Sequence, residues 1–273
     1  MPAALVISAT LVVLGTLVMS TALAAPASAL SASAPLVAPA SAFDVSTPLS
    51  PTPTGTSATI TPTLSADRLR ARVSLTIGVH FSGGELGVPS PLRHAVLRLP
   101  AGMSLEVPSL RACSGARLQA RGLSGCPARS RLGAGKALVE ARAGSQTILE
   151  KVALWAFIGP PQNLQPTFEI LALGYTPLQE RVVLGGTVLS GSAPYGEALE
   201  MSIPPIATLP GSPEASILAF SLTVGAGQAG RGRDRDAILT PPTCPPGGFP
   251  FAADFTYADG TGSETLARIP CPS

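Results

Sequence analysis

The sequence predicts an all-β protein, an antiparallel β-sandwich that is immunoglobulin-like or larger, with one short helix and two disulfides. Three observations carry this. Apolar and polar residues alternate with a period of two along many segments, as in strands with one buried face. Turn residues recur every ten or so positions. No long segment carries a helical period, and the chain holds 28 Gly and 29 Pro among its 273 residues.

The alternation is clearest in "ARVSLTIGVHF", where Val73, Leu75, Ile77, Val79 and Phe81 share one face. Arg72, Ser74, Thr76, Gly78 and His80 share the other, so His80 is expected in solvent. "LRHAVLRLP" follows and stops at Pro100, with His94 expected at a strand edge. "PSLRACSGARLQARGLSGCP" is the one helix candidate, capped by Ser114 and ended by Gly122. The next strands are "RLGAGKALVEARA", "TILEKVALWAFIG", "TFEILALGY" and "QERVVLGGTVLS", then "GEALEMSI" and "ASILAFSLTVGA". "VALWAFI" is apolar on both faces, which places it centrally and Trp155 in a core. The last pair is "FPFAADFTY" and "SETLARIP", joined by Asp259-Gly260, a strong hairpin signal. Residues 57–273, about 215 residues of this character, suit one large sandwich or two smaller ones divided near 125–145.

The start of the chain differs. Ala3 to Leu23 is apolar apart from a few Ser and Thr, and the first charged side chain is Asp44. Small-residue cleavage patterns end at Ala24 and at Ala29, so residues 1–29 read as a signal peptide. The n-region lacks Lys and Arg, and the run is long enough to span a bilayer, so an uncleaved membrane anchor is the alternative. Residues 30–56, rich in Ala, Ser, Thr and Pro, read as a disordered tether. Four cysteines, Cys113, Cys126, Cys244 and Cys271, suit an exported chain with two disulfides. Four cysteines allow three connectivities, and the pairs close in sequence are Cys113 with Cys126 and Cys244 with Cys271.

Composition excludes several functions. With 18 Lys+Arg against 16 Asp+Glu, the chain has no electrostatic footprint for nucleic acid. Charged residues make up 12%, about half the usual share, and hydrophobic residues 45%, enough for a core. No nucleophile elbow, phosphate loop or zinc helix appears, and no cofactor or metal is expected. Asp234 and Asp236 in "RGRDRD", and "DGTGSE" at 259–264, only partly imitate calcium loops. Glu169, Glu180, Glu197 and Glu200 lie in or beside strands. They are expected to face outward, yet any two could meet as a catalytic pair.

The segments "LRLPAGM", "CSGARLQARGLSGCPARSRLGAGKALVE" and "PPTCPPGGFPFAADFTYADGTGSETLARIPCP" resemble a group of uncharacterised, secreted, β-rich proteins of actinobacterial type. The resemblance covers about residues 60–273 and implies export and a β fold, but no activity. The expected function is a non-catalytic structural or interaction role at the cell envelope, with an extracellular protein or glycan as partner. The alternative is a secreted hydrolase or carbohydrate-active protein using paired carboxylates.

Overall fold

The computed structural model describes residues 55–272, apart from 85–86, 107–110, 144–145, 176–178, 207, 209–211 and 226–237. The cleavage sites at Ala24 and Ala29, the tether up to residue 54, and Asp234 and Asp236 lie outside them.

The described residues are mostly antiparallel β strands. β1 is Thr56–Leu64, β2 Arg72–Val73, β3 Leu75–Gly83, β4 Leu92–Pro100 and β5 Ser104–Leu105. A short helix, α1, spans Gly115–Arg121, and two 3-10 turns follow it. β6 is Arg131–Ala143, β7 Gln146–Ile158, β8 Thr167–Gly174, β9 Arg181–Ser190 and β10 Tyr195–Ser202. β11 is Ser216–Val224, β12 Ile238–Leu239, β13 Phe249–Tyr257 and β14 Gly262–Ile269.

Eleven of these strands form one sheet in the order β1-β3-β11-β6-β7-β8-β9-β10-β4-β13-β14. Its two edge strands, β1 and β14, pack against each other, so the sheet curls into a near-barrel. The facing layers expected of a sandwich are the opposite walls of this single sheet. β6 pairs with β7 from Arg131↔Phe157 to Ala143↔Gln146, and with β11 on its other side. The remaining three strands form a small sheet, β2-β12-β5. Its Ile238 and Leu105 contribute side chains to the main core.

The period-two segments form strands because each can bury one face. Leu75, Ile77, Val79 and Phe81 are buried, while His80 is exposed. The expected strand through Val73 breaks at Ser74, and Val73 pairs instead with Ile238 in the small sheet. β1 was not an expected strand, because threonines and Pro62 mask its alternation. Proline cannot donate to a ladder, which an edge strand tolerates, and Pro62 lies on the edge strand β1. In the core, the Phe81 ring meets Phe255 edge-on at 5.0 Å and Tyr257 at 6.3 Å. It also lies 6.3 Å from Phe220.

A second, smaller core lies on the outside of the wall. α1 packs against β8 and β9, and Leu118 of α1 is fully buried with Cys113, Phe157 and Leu171. Trp155 packs against this outer cluster rather than the main core. β7 is therefore apolar on both faces because each face has its own cover. Cys113–Cys126 closes around α1, and Cys244–Cys271 joins the entry of β13 to the exit of β14. Both pairs have a Cα–Cα distance of 5.7 Å, within the range for disulfides. Among the described residues, no helix is long and apolar enough to cross a membrane.

Candidate functional site

The curled sheet leaves a hollow. Inward-facing side chains of ten of its strands do not fill the space between the walls, and two apolar lobes remain. The first, of about 130 Å³, lies towards the small sheet, which covers it with Leu105 and Ile238. The walls there are formed by Ile77, Leu97, Leu99, Leu132, Phe168 and Leu199, among others. The second, of about 110 Å³, lies between Val139, Val152, Leu154, Val182, Ile203 and Ile217. Ile170, Met201, Phe220 and Leu222 line both lobes, so the two adjoin.

Such a hollow is unfavourable for stability alone. At about 24 cal/mol per Å³ of core void, the first lobe costs about 3 kcal/mol if left empty. Apolar cavities near 150 Å³ stay dry and accept apolar guests such as benzene. Barrels of eight or more strands are where one small ligand can be enclosed. The hollow's lining therefore matches the surface of an apolar molecule rather than a polar one.

A second concavity lies on the outer face of β8, β9 and β10. It has a volume of about 380 Å³ and polar walls: Gln162, Thr167, Glu169, Thr187, Glu200 and Ser202. The register explains it. Thr187 of β9 lies opposite both Thr167 of β8 and Glu200 of β10, and Glu169 lies opposite Gly185. Two of the four singled-out glutamates thus share a cleft. Both already have partners. The Glu169 carboxylate accepts a hydrogen bond from the Gly115 amide at 3.2 Å. Ser114 makes no side-chain bond there, so Glu169 replaces it at the start of α1. Burial pushes the Glu169 carboxyl up, against the lowering effect of the Gly115 amide. Glu200 Oε1 lies 2.9 Å from His94 Nε2. His94 is not at a sheet edge, since β4 runs between β10 and β13. None of Trp155, Tyr175 and Tyr195 lines the cleft, so it lacks an aromatic platform.

The other two glutamates go elsewhere. Glu180 is exposed at the end of the second lobe. Glu197 does not face outward as expected. Alternation along β10 puts it on the inner side with Leu199 and Met201, beside the small sheet. Burial pushes its carboxyl up, partly offset by the Leu105 amide that donates to it. Its Oε2 is buried with no partner among the described residues. A carboxyl raised in the folded state lowers stability above its folded pKa, and this penalty vanishes below the unfolded value. Glu197→Gln is therefore expected to raise the unfolding temperature at neutral pH. The gain should disappear in acid, where Glu197 itself is protonated; thermal unfolding at both pH values checks this.

The acidic residues of the last hairpin have structural duties. Asp254 forms an ion pair with Arg98 on the outer face. Asp259 accepts hydrogen bonds from the amide and hydroxyl of Thr261 at 2.9 and 2.7 Å, and these bonds hold its carboxyl low. Among the described residues, no group of three or more His, Cys, Asp or Glu side chains is placed to hold a metal ion.

Fold and site together define an all-β, disulfide-bonded protein whose curled sheet encloses an apolar hollow. Comparison with protein-family models, curated proteins and solved structures finds no match to this chain.

Proposed function

We propose that this chain is a non-catalytic binding protein of the cell envelope or extracellular space, which holds an apolar molecule inside its curled sheet. The observation that carries the reading is the pair of adjoining lobes, walled almost entirely by aliphatic and aromatic side chains. The two disulfides and the apolar N-terminal segment support an exported protein. The hydrolase alternative draws on the cleft with Glu169 and Glu200, but both carboxylates there are held by other groups of the fold.

The test is displacement of N-phenyl-1-naphthylamine, an uncharged fluorophore that brightens in apolar surroundings. The wild-type protein should enhance its emission, and an added alkyl compound should reverse this. Leu222 lines both lobes, so Leu222→Trp should lower the affinity about tenfold or more. Its unfolding midpoint should stay near that of the wild type, because the new ring occupies existing space. Equal probe binding by Leu222→Trp would place the probe outside the hollow and overturn the reading. Export is checked by N-terminal sequencing of the protein recovered from producing cells. A start just after Ala24 or Ala29 in the medium supports the cleaved signal, and an intact terminus in the membrane fraction supports the anchor.

A further inference from the structure

The two lobes differ in their polar walls, and this difference carries information about the occupant. The first lobe has no ionisable side chain among its lining residues. The second has Glu150, Glu180 and Thr208, and no Lys or Arg among the described residues that line it. The fold gathers two of these groups at one end. Glu150 precedes Val152, Val152 pairs with Gly174, and the Gly174 amide donates to the Glu180 carbonyl at 2.9 Å. Glu150 is only 5% exposed, on the inner side of β7 with Val152 and Leu154. Glu180 is open to solvent. The hydroxyl of Thr208 donates to the Pro213 carbonyl at 2.9 Å.

We infer that the occupant is a single-chain amphiphile, its alkyl tail in the two lobes and an uncharged or cationic head at the Glu150–Glu180 end. This inference rests on the reading of the hollow as a ligand site. The volumes set the tail: each lobe is close to what one benzene ring fills, so the two suit a chain about as bulky as two such rings. The acidic wall sets the head. A carboxylate or phosphate there would meet acceptor oxygens of Glu150 and the exposed Glu180, with no Lys or Arg among the described lining residues to offset them, and such contacts are disfavoured. An ammonium head gains from the same wall, and a hydroxyl head meets acceptors without repulsion.

The experiment compares decylamine, decanol and decanoate as displacers of N-phenyl-1-naphthylamine from the full chain at neutral pH. The three share a tail and differ only in head charge. Decylamine should bind most tightly, decanol next, and decanoate about tenfold or more below decanol. In the Glu150→Gln/Glu180→Gln variant the amine and decanoate should approach decanol, whose own affinity should hold. Glu180→Gln alone, at an exposed position, should show the same trend to a smaller degree if the double variant does not fold. Decanoate binding as tightly as decanol to the wild type would overturn the head-group inference and leave the apolar site standing. Failure of all three to displace the probe would overturn the ligand site itself.

Discussion

Phe81→Ala should destabilise the protein by about 3–5 kcal/mol, the usual cost of removing a buried phenylalanine ring. Phe81 is 3% exposed and is the meeting point of Phe220, Phe255 and Tyr257, whose strands lie on either side of β3 once the sheet has curled. Aromatic pairs in edge-on geometry add about 0.5–1.5 kcal/mol beyond their buried area, and the Phe81–Phe255 pair has that geometry. Against a total stability of about 5–15 kcal/mol for an ordinary domain, this is a large share. Urea unfolding should show a lower midpoint with an unchanged slope, since the same surface is exposed. Phe81 lines neither lobe, so residual folded protein should still bind the fluorophore. A loss below about 1 kcal/mol would mean that this aromatic cluster does not join the walls as described.

Replacing Cys244 and Cys271 together by serine should cost about 3–4 kcal/mol, the chain-entropy value for a loop closed by a separation of 27 residues. The local consequence is more telling than the total. β14 takes backbone hydrogen bonds from β13 alone, and its other side only packs against β1. The disulfide fixes the open end of that hairpin. Without it, β14 should lose hydrogen-exchange protection before β7 or β8, which are paired on both sides. Uniform loss across all strands would show that the hairpin does not open separately. Peptide mapping of the wild-type protein without reduction should recover Cys113 joined to Cys126 and Cys244 joined to Cys271. A peptide joining Cys113 to Cys244 would refute the local pairing.

The terminal hairpin and the aromatic cluster around Phe81 differ in how far local sequence defines them. The hairpin was legible because all its determinants are local. Phe251, Ala253, Phe255 and Tyr257 alternate with Ala252, Asp254 and Thr256, and Asp259-Gly260 supplies a turn residue with φ of 80°. The structure places all four residues of the first set in the core. β6 matches its expected span at both ends, and the strands from β7 to β10 match within two residues at either end. The helix was legible from its flanking residues, although the group that bonds its first amide, Glu169, comes from 54 positions away. β5 and β12, two residues each, carry no readable period; β12 is a strand because it lies between β2 and β5 and pairs with both.

The candidate site was largely illegible. Glu197 and Glu200 are three residues apart on one strand, and a period of two puts them on opposite faces, but only the curl decides which face is the inside. Glu169 and Glu200 came to share a cleft through the registers of β9 with both neighbours. What the sequence determined alone was strand by strand: which segments extend, where they turn, and which side of each is apolar. The tertiary structure decided the strand order, with β11 inserted between β3 and β6, and the meeting of β1 with β14. It also decided the hollow. Alternation specifies that a face is apolar, whereas a cavity depends on the distance between opposite walls relative to the side chains that cross it. That distance is set by strand number and curl, which belong to the whole sheet and to no single segment of it.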